Sequence, residues 1–393
     1  MIDPKARILV VDDVAENRDL LLRRLTRLGF SLIDQAANGV EALAAIGEKS
    51  YDLVLLDIMM PELDGFGVLE ALRADGRVND LPVIVISALN EIDPVVRCIE
   101  LGAADFMFKP FNPTLLRARV LTTLEKKALT DRTRNELKRK QYELNEARTL
   151  QLALAPPPFA GKLSGRSLSI DVLLEPAKEV GGDLVDHFRV GDDLVVLALG
   201  DVSDKGAGAA LMMARTHAML RALTARPDAA SLFREPQNAV GIVNDALAEG
   251  NASCMFVTFL LASFDLTSGR LAYVRAGHIP PFHRNGTGKV ARLGRMGGPP
   301  LGLIETTKYQ ADTVTLAPGD RLLIVTDGFT EAHDPGGSMY GEARIEEFLT
   351  ALAPSEAEPL KRLAGLVRTF EAGHPAFDDM AAILLSFETM SPP

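Results

Sequence analysis

The sequence predicts two differently built α/β domains joined by one long helix, and three observations carry that fold class. Over residues 5–122, short apolar runs alternate with helical patterns, the rhythm of a doubly wound, five-stranded parallel sheet. Between Pro113 and Pro156 no Gly or Pro interrupts a charged helical stretch. From 159 to 388 strand-like runs dominate, punctuated by Gly and Pro, which predicts an α+β sandwich with antiparallel sheets between helices.

Size and composition bound the function. With 393 residues, 47% of them apolar, the chain exceeds a single core and can fill two. A formal charge of -11 argues against a nucleic-acid or anionic-membrane surface and favours protein partners. Cys98 and Cys254 lie far apart in apolar stretches and read as two buried thiols of a reducing cytosol. Residues 1–13 lack a signal-peptide pattern, and no apolar run approaches a membrane span, so a cytoplasmic protein is expected.

In the first domain the pattern runs strand at 7–11, helix at 16–28, strand at 31–37, helix at 40–48 and strand at 52–56. Three strands run straight into polar groups: Val11 into Asp12-Asp13, Leu56 into Asp57, and Ile86 into Ser87. A further strand at 105–108 ends at Lys109-Pro110 and brings a cation to the same edge. In open parallel sheets the carboxyl ends of the strands form the site. This set resembles the receiver domain of two-component response regulators, which is flavodoxin-like. The resemblance implies that Asp57 accepts a phosphoryl group, that Asp12 and Asp13 help Asp57 hold Mg²⁺, and that Ser87 and Lys109 contact the phosphoryl oxygens. Phe106 matches the family's switch aromatic and reads equally well as core. A carboxylate nucleophile suits the chemistry, because Mg²⁺ and Lys109 offset the charge that builds on the transferring group.

The connector, 113–158, carries mixed charges, with Leu137, Leu144, Gln151 and an offset Leu154 near heptad spacing. A polar helix with a thin apolar stripe needs a partner, so a homodimer through paired helices is expected, a solvated helix being the alternative. Pro156-Pro157-Pro158 stops the helix.

In the second domain, helical patterns fall at 207–224, 236–249, 341–352 and 360–372. Four aspartates abut strand-like runs: Asp183, Asp201, Asp327 and Asp378. Clustered carboxylates repel unless cations join them, and an all-oxygen donor set without a His or Cys cluster favours Mg²⁺ or Mn²⁺ over Zn²⁺. Paired hard cations are a common device for phosphoryl chemistry.

The motifs Val180-Gly181-Gly182-Asp183, Gly200-Asp201-Val202-Ser203-Asp204-Lys205-Gly206, Ala276-Gly277-His278, Pro299-Pro300-Leu301-Gly302, Thr326-Asp327-Gly328 and Asp378-Asp379-Met380, in this order, resemble the SpoIIE-type branch of the metal-dependent, protein phosphatase 2C-like Ser/Thr phosphatases. The resemblance begins upstream, at Ala147-Arg148-Thr149-Leu150-Gln151. It implies an αββα sandwich around two Mn²⁺ or Mg²⁺ ions held by Asp183, Asp201, Asp327, Asp378 and the Val202 carbonyl, with Asp201 bridging. Asp186, Asp204 and Asp379 are further acids near these motifs and also read as turn residues. His278 reads as a loop histidine or a proton donor, Lys205 stands where other branches carry histidine, and no arginine is assigned to a substrate phosphate.

Together the two resemblances imply a response regulator with a Ser/Thr phosphatase output, a sensor histidine kinase upstream, and a phosphorylated STAS-type anti-sigma factor antagonist as substrate in a stress response. A non-catalytic adaptor built on a phosphatase-like fold is the alternative. No basic helix-turn-helix follows the receiver to bind DNA.

Overall fold

The computed structural model describes residues 5–87, 92–110, 112–294, 297–353, 356–374 and 376–388. They form two compact units, Met1–Lys140 and Gln141–Pro393, and the division falls inside the long helix.

In the first unit the order is β1 (Arg7–Val11), α1 (Ala15–Arg27), β2 (Leu32–Ala36), α2 (Gly39–Glu48), β3 (Leu53–Asp57), α3 (Gly65–Ala74), β4 (Val83–Ser87), α4 (Ile92–Glu100), β5 (Asp105–Phe108) and the start of α5 (Pro113–Leu152). The sheet runs β2-β1-β3-β4-β5, with every pair parallel. Central strands β3 and β4 are apolar on both faces because both are covered. Leu9, Val11, Val54 and Leu56 pack with Ile46, Val68 and Leu69 of α2 and α3. Their alternates Ile8, Val10, Leu53 and Leu55 pack with Leu21 and Leu25 of α1 and Leu116 and Val120 of α5. Asn38 and Asp64 cap α2 and α3, each accepting a bond from the backbone N–H of the third residue on, Glu41 and Gly67.

The second unit continues with β6 (Phe159–Leu163), β7 (Arg166–Glu175), β8 (Leu184–Val190), β9 (Leu194–Val202), α6 (Ala207–Ala222), α7 (Ala229–Arg234), α8 (Pro236–Ala248), β10 (Val257–Asp265) and β11 (Arg270–Ala276). It closes with β12 (Phe282–Arg284), β13 (Val290–Arg292), β14 (Asp312–Thr315), β15 (Arg321–Val325), α9 (Asp327–Thr330), α10 (Gly341–Ala351), α11 (Pro359–Glu371) and β16 (Met380–Phe387). Two antiparallel sheets result, β14-β11-β10-β9-β8 and β13-β12-β15-β16-β7-β6.

Strand periodicity sets the layers. Val195, Leu197 and Leu199 of β9 meet Leu322, Ile324, Ile383 and Leu385 of the other sheet. Their alternates Leu194, Val196 and Ala198 face Met213, Leu220, Val240 and Val243 of α6 and α8. On the far side, Leu323, Val325 and Leu384 pack on Ile345, Phe348, Leu363 and Val367 of α10 and α11. The predicted αββα sandwich is therefore built from alternation within each strand.

Two sequence readings are corrected. Cys98 is buried, but Cys254 is exposed. The chain turns tightly there: Cys254 has φ 53°, its N–H donates to the Asn251 carbonyl at 3.1 Å, and Asn251 Nδ2 donates to the Met255 carbonyl at 2.6 Å. Its apolar neighbours belong to the entry of β10, whereas the thiol sits on the turn. Gln151, read as a seam position of a helix pair, is buried within the second unit instead.

Candidate functional site

In the first unit, Asp12 and Asp13 follow β1, Asp57 ends β3, Ser87 ends β4 and Lys109 follows β5, so the strand ends bring the predicted set to one sheet edge. Lys109 Nζ donates to Asp12 Oδ2 at 2.8 Å and Asp57 Oδ2 at 2.7 Å, while its N–H donates to the Ser87 carbonyl at 2.8 Å. Asp57 Oδ1 accepts from the Ile58 N–H at 2.8 Å. Burial pushes the Asp57 carboxyl above its usual range against the pull of Lys109, and the two carboxylates hold Lys109 above its own range despite burial.

Carboxylate oxygens of Asp12, Asp13 and Asp57 lie within 4.8 Å of one another. That donor set suits a hard cation such as Mg²⁺. Asn17 and Arg18, which the sequence reading passed over, brace the loop: Asn17 Nδ2 donates to Asp12 Oδ1 at 3.0 Å and Arg18 Nη1 to the Asp12 carbonyl at 2.6 Å. Gly65 is required behind Asp57, since a Cβ there would lie 2.4 Å from the Asp57 carbonyl oxygen. Phe106 is half-buried, edge-on to Phe108 at 5.5 Å between ring centroids and under the Arg119 guanidinium.

In the second unit the four predicted aspartates come from both sheets: Asp183 precedes β8, Asp201 lies in β9, Asp327 opens α9 after β15, and Asp378 precedes β16. Thr326 ties the sheets together at this end. Its hydroxyl donates to Asp183 Oδ2 at 2.8 Å and accepts from the Ala381 N–H at 3.0 Å. The carboxylates sense one another. Burial first, then Asp201 and other acids, pushes Asp183 well above the usual range. Burial with Asp327 and Asp378 raises Asp201 to about 7, and burial with Glu331 and Asp378 raises Asp327 to about 6. Lys205 Nζ lies 2.8 Å from Asp378 Oδ2. An all-oxygen set carrying more negative charge than Lys205 can offset fits divalent cations. The buried Val202 sits beside this set, its carbonyl oxygen 3.2 Å from where a Cβ on Gly182 would lie.

The neighbouring acids and His278 do other things. Asp379 Oδ1 and Oδ2 accept from the Ala177 and Gly182 N–H groups at 2.7 and 2.6 Å, fixing the turn before Asp183. Buried Asp186 accepts from Arg221 Nε and Nη2, each at 2.6 Å, and ties β8 to α6. Asp204 accepts from the Lys205 N–H. His278 is buried, its Nδ1 3.0 Å from the Ile279 carbonyl, and burial lowers it to about 4. Thr326 lies inside a recognised motif that assigns it no role, and the two backbone groups that Asp379 holds are not readable from its place beside Asp378.

Gly328 shows how closely the site is built, since a Cβ there would lie 1.9 Å from the Asp379 carbonyl oxygen. Gly328→Ala should cost about 3 kcal/mol by forcing backbone apart. The check is a lowered urea midpoint of the second unit at unchanged slope.

A family profile for Stage II sporulation protein E (SpoIIE) matches residues 191–388, half of the 393-residue chain. The chain belongs to the SpoIIE family. A second profile, Response regulator receiver domain, matches residues 8–121. Ahead of the SpoIIE-type unit the chain therefore carries a receiver domain. Protein IcfG of Synechocystis sp. is 32% identical over 264 residues, covering 62% of this chain and 41% of that protein. Response regulator PleD of Caulobacter vibrioides is 36% identical over 186 residues, covering 47% of this chain and 39% of that one. The chain thus spans less than half the length of these two curated relatives. Among solved structures, the SiaA-PP2C domain of Pseudomonas aeruginosa matches with a TM-score of 0.55 at 20% identity, covering 64% of this chain and 99% of that chain, a likeness of fold. Among the described residues no helix is long and apolar enough to cross a membrane.

Proposed function

We propose that this SpoIIE-family chain is a two-component response regulator, cytoplasmic, whose output is hydrolysis of phosphoserine or phosphothreonine on a regulatory protein. The output reading is supported by Asp183, Asp201, Asp327 and Asp378 lying beside strand ends of the two sheets, with burial and like charge raising the first three. These four, with the Val202 carbonyl, would hold two Mn²⁺ or Mg²⁺ ions, which supply water of lowered pKa and neutralise charge on the phosphoryl group. Thr326 and Asp379 keep Asp183 oriented, so the carboxylates are preorganised.

In the receiver, 5–122, Asp12, Asp13 and Asp57 would hold Mg²⁺. A carboxylate oxygen of Asp57 forms the new bond to phosphorus while the kinase histidine nitrogen leaves. Lys109, already 2.7 Å from Asp57 Oδ2, offsets the transferring charge. Ser87 bonds a phosphoryl oxygen, and Phe106 is the switch aromatic. The connector, 113–158, relays that state to the phosphatase domain, 159–388, and phosphorylation raises the output. Exposed Leu129 and Leu137 of α5 support pairing with a second copy, and a monomer by light scattering across micromolar concentrations would remove that pairing. The family resemblance supports a phosphorylated STAS-type anti-sigma factor antagonist as the substrate.

The test is phosphate release from a phosphoserine STAS-domain protein in Mn²⁺, with and without a small phosphodonor, for the native chain and for Asp57→Ala. Release that rises with phosphodonor in the native chain alone is the expected result. Absence of release under every condition favours an adaptor role.

A further inference from the structure

Gln151 lies near the end of α5, a helix whose Leu137, Tyr142 and Leu150 are 63%, 71% and 68% exposed, yet it is itself only 6% exposed. Its amide makes two bonds to a single residue. Nε2 donates to the Gly181 carbonyl at 2.7 Å, and Oε1 accepts from the Gly181 N–H at 3.0 Å. A side-chain amide that satisfies both polar groups of one residue fixes the position of that residue and the tilt of both flanking peptides.

The turn so held leads directly into Asp183. Gly182 donates to Asp379 Oδ2 and Asp183 accepts from Thr326, so three successive residues have three separate anchors. Two anchors come from residues after β15 and beside β16; the first comes from α5. Gly181 approaches Asp379 so closely that a Cβ would lie 2.3 Å from its Oδ2. A shift of the turn therefore displaces Asp379 as well. One turn earlier on α5, Arg148 Nη1 donates to the Lys178 carbonyl at 2.9 Å, so the helix end grips the same segment twice.

We infer that Gln151 is a positioning residue for divalent-cation binding: its paired bonds to Gly181 set the reach of the Asp183 carboxylate. The inference rests on the assignment of Asp183 to the cation site. Withdrawal or rotation of the end of α5 then loosens Asp183 without touching it. Residues that orient metal ligands from one step away commonly change affinity by about 10–100-fold.

The test uses the full chain with Gln151→Leu, which removes both bonds, and Gln151→Glu, which keeps the shape but sets an oxygen against the Gly181 carbonyl. Mn²⁺ binding is read from the electron paramagnetic resonance signal of the free ion, with the Asp201→Asn chain marking the sites that belong to the second unit. Those sites should weaken by about tenfold or more in both variants. The Mn²⁺ midpoint of phosphate release should move equally, with the plateau rate within about twofold. If Gln151→Leu fails to fold, the near-isosteric Gln151→Glu decides. Unchanged Mn²⁺ affinity in a variant with native circular dichroism, or a lowered plateau at unchanged affinity, overturns the inference. Native protein with no Mn²⁺ sites sensitive to Asp201→Asn would overturn the assignment of Asp183 and this inference with it, whereas native protein that binds Mn²⁺ but releases no phosphate would sink the catalytic reading and leave the binding arm to decide.

Discussion

Asp201→Asn should lower phosphate release by on the order of a thousandfold while leaving phosphorylation of Asp57 intact. Asp201 sits near the end of β9, paired across the ladder with Thr258; burial, then Asp327 and Asp378, raise its carboxyl against a hydrogen bond with Asp183. An amide of the same shape preserves packing but removes the charge that would draw cations together. The loss should appear mainly in kcat, because a protein substrate still meets the same surface. Folding offers a second, opposite reading: without cations, removing one of several repelling carboxylates should raise the thermal midpoint of the second unit. A variant less active but more stable in chelator separates loss of a charged ligand from damage to the fold. Asp57 belongs to the other unit and retains Lys109, so acetyl phosphate should still label it. Turnover retained by Asp201→Asn would sink the assignment of this carboxylate.

The sequence made the central features legible because they are local. Buried parallel strands such as 53–57 and 83–87 are continuous apolar runs with a polar residue at the carboxyl end, and each aspartate of the second site abuts its own strand. What stayed hidden depends on tertiary partners. β14 is a four-residue edge strand, Asp312–Thr315, largely exposed and without alternation, and exists because β11 supplies its ladder. β12 is three residues long and is defined by its pairing with β13 and β15. The family resemblance assigns Asp378 to the cations and leaves Asp379 as a turn acid, without showing which backbone groups it holds. The fold sends Asp378 toward Lys205 and Asp379 back onto the Ala177 and Gly182 N–H groups. Asp186 lies three residues after Asp183, but the two have different partners: Asp183 meets Thr326, while Asp186 finds Arg221. Gln151 misled because heptad spacing shows which residues share a face and cannot say that the face meets another part of the same chain.

Chelation should make the second unit progressively less stable as pH rises from about 4 to about 7, with little further change above that. Asp201 is raised from 3.8 to about 7 and Asp327 to about 6. Burial is the larger cause for both, joined by neighbouring acids. A carboxyl raised in the folded state binds its proton more tightly folded than unfolded, so the folded form carries the extra proton between the two values. Stability is therefore greatest below the unfolded value and falls as pH climbs through the folded one. For Asp201 the distance from 3.8 to about 7 corresponds to on the order of 4 kcal/mol. Divalent cations reverse the slope, since they bind the deprotonated cluster and take the place of the missing protons. The gain in thermal midpoint on adding Mn²⁺ should thus be small near pH 5 and large near pH 8. Scanning calorimetry of the full chain in chelator and in Mn²⁺ measures both trends, and Asp201→Asn should flatten them. Midpoints in chelator that rise steadily from pH 5 to pH 8, or a Mn²⁺ effect independent of pH, would mean that the four carboxylates do not form one repelling cluster.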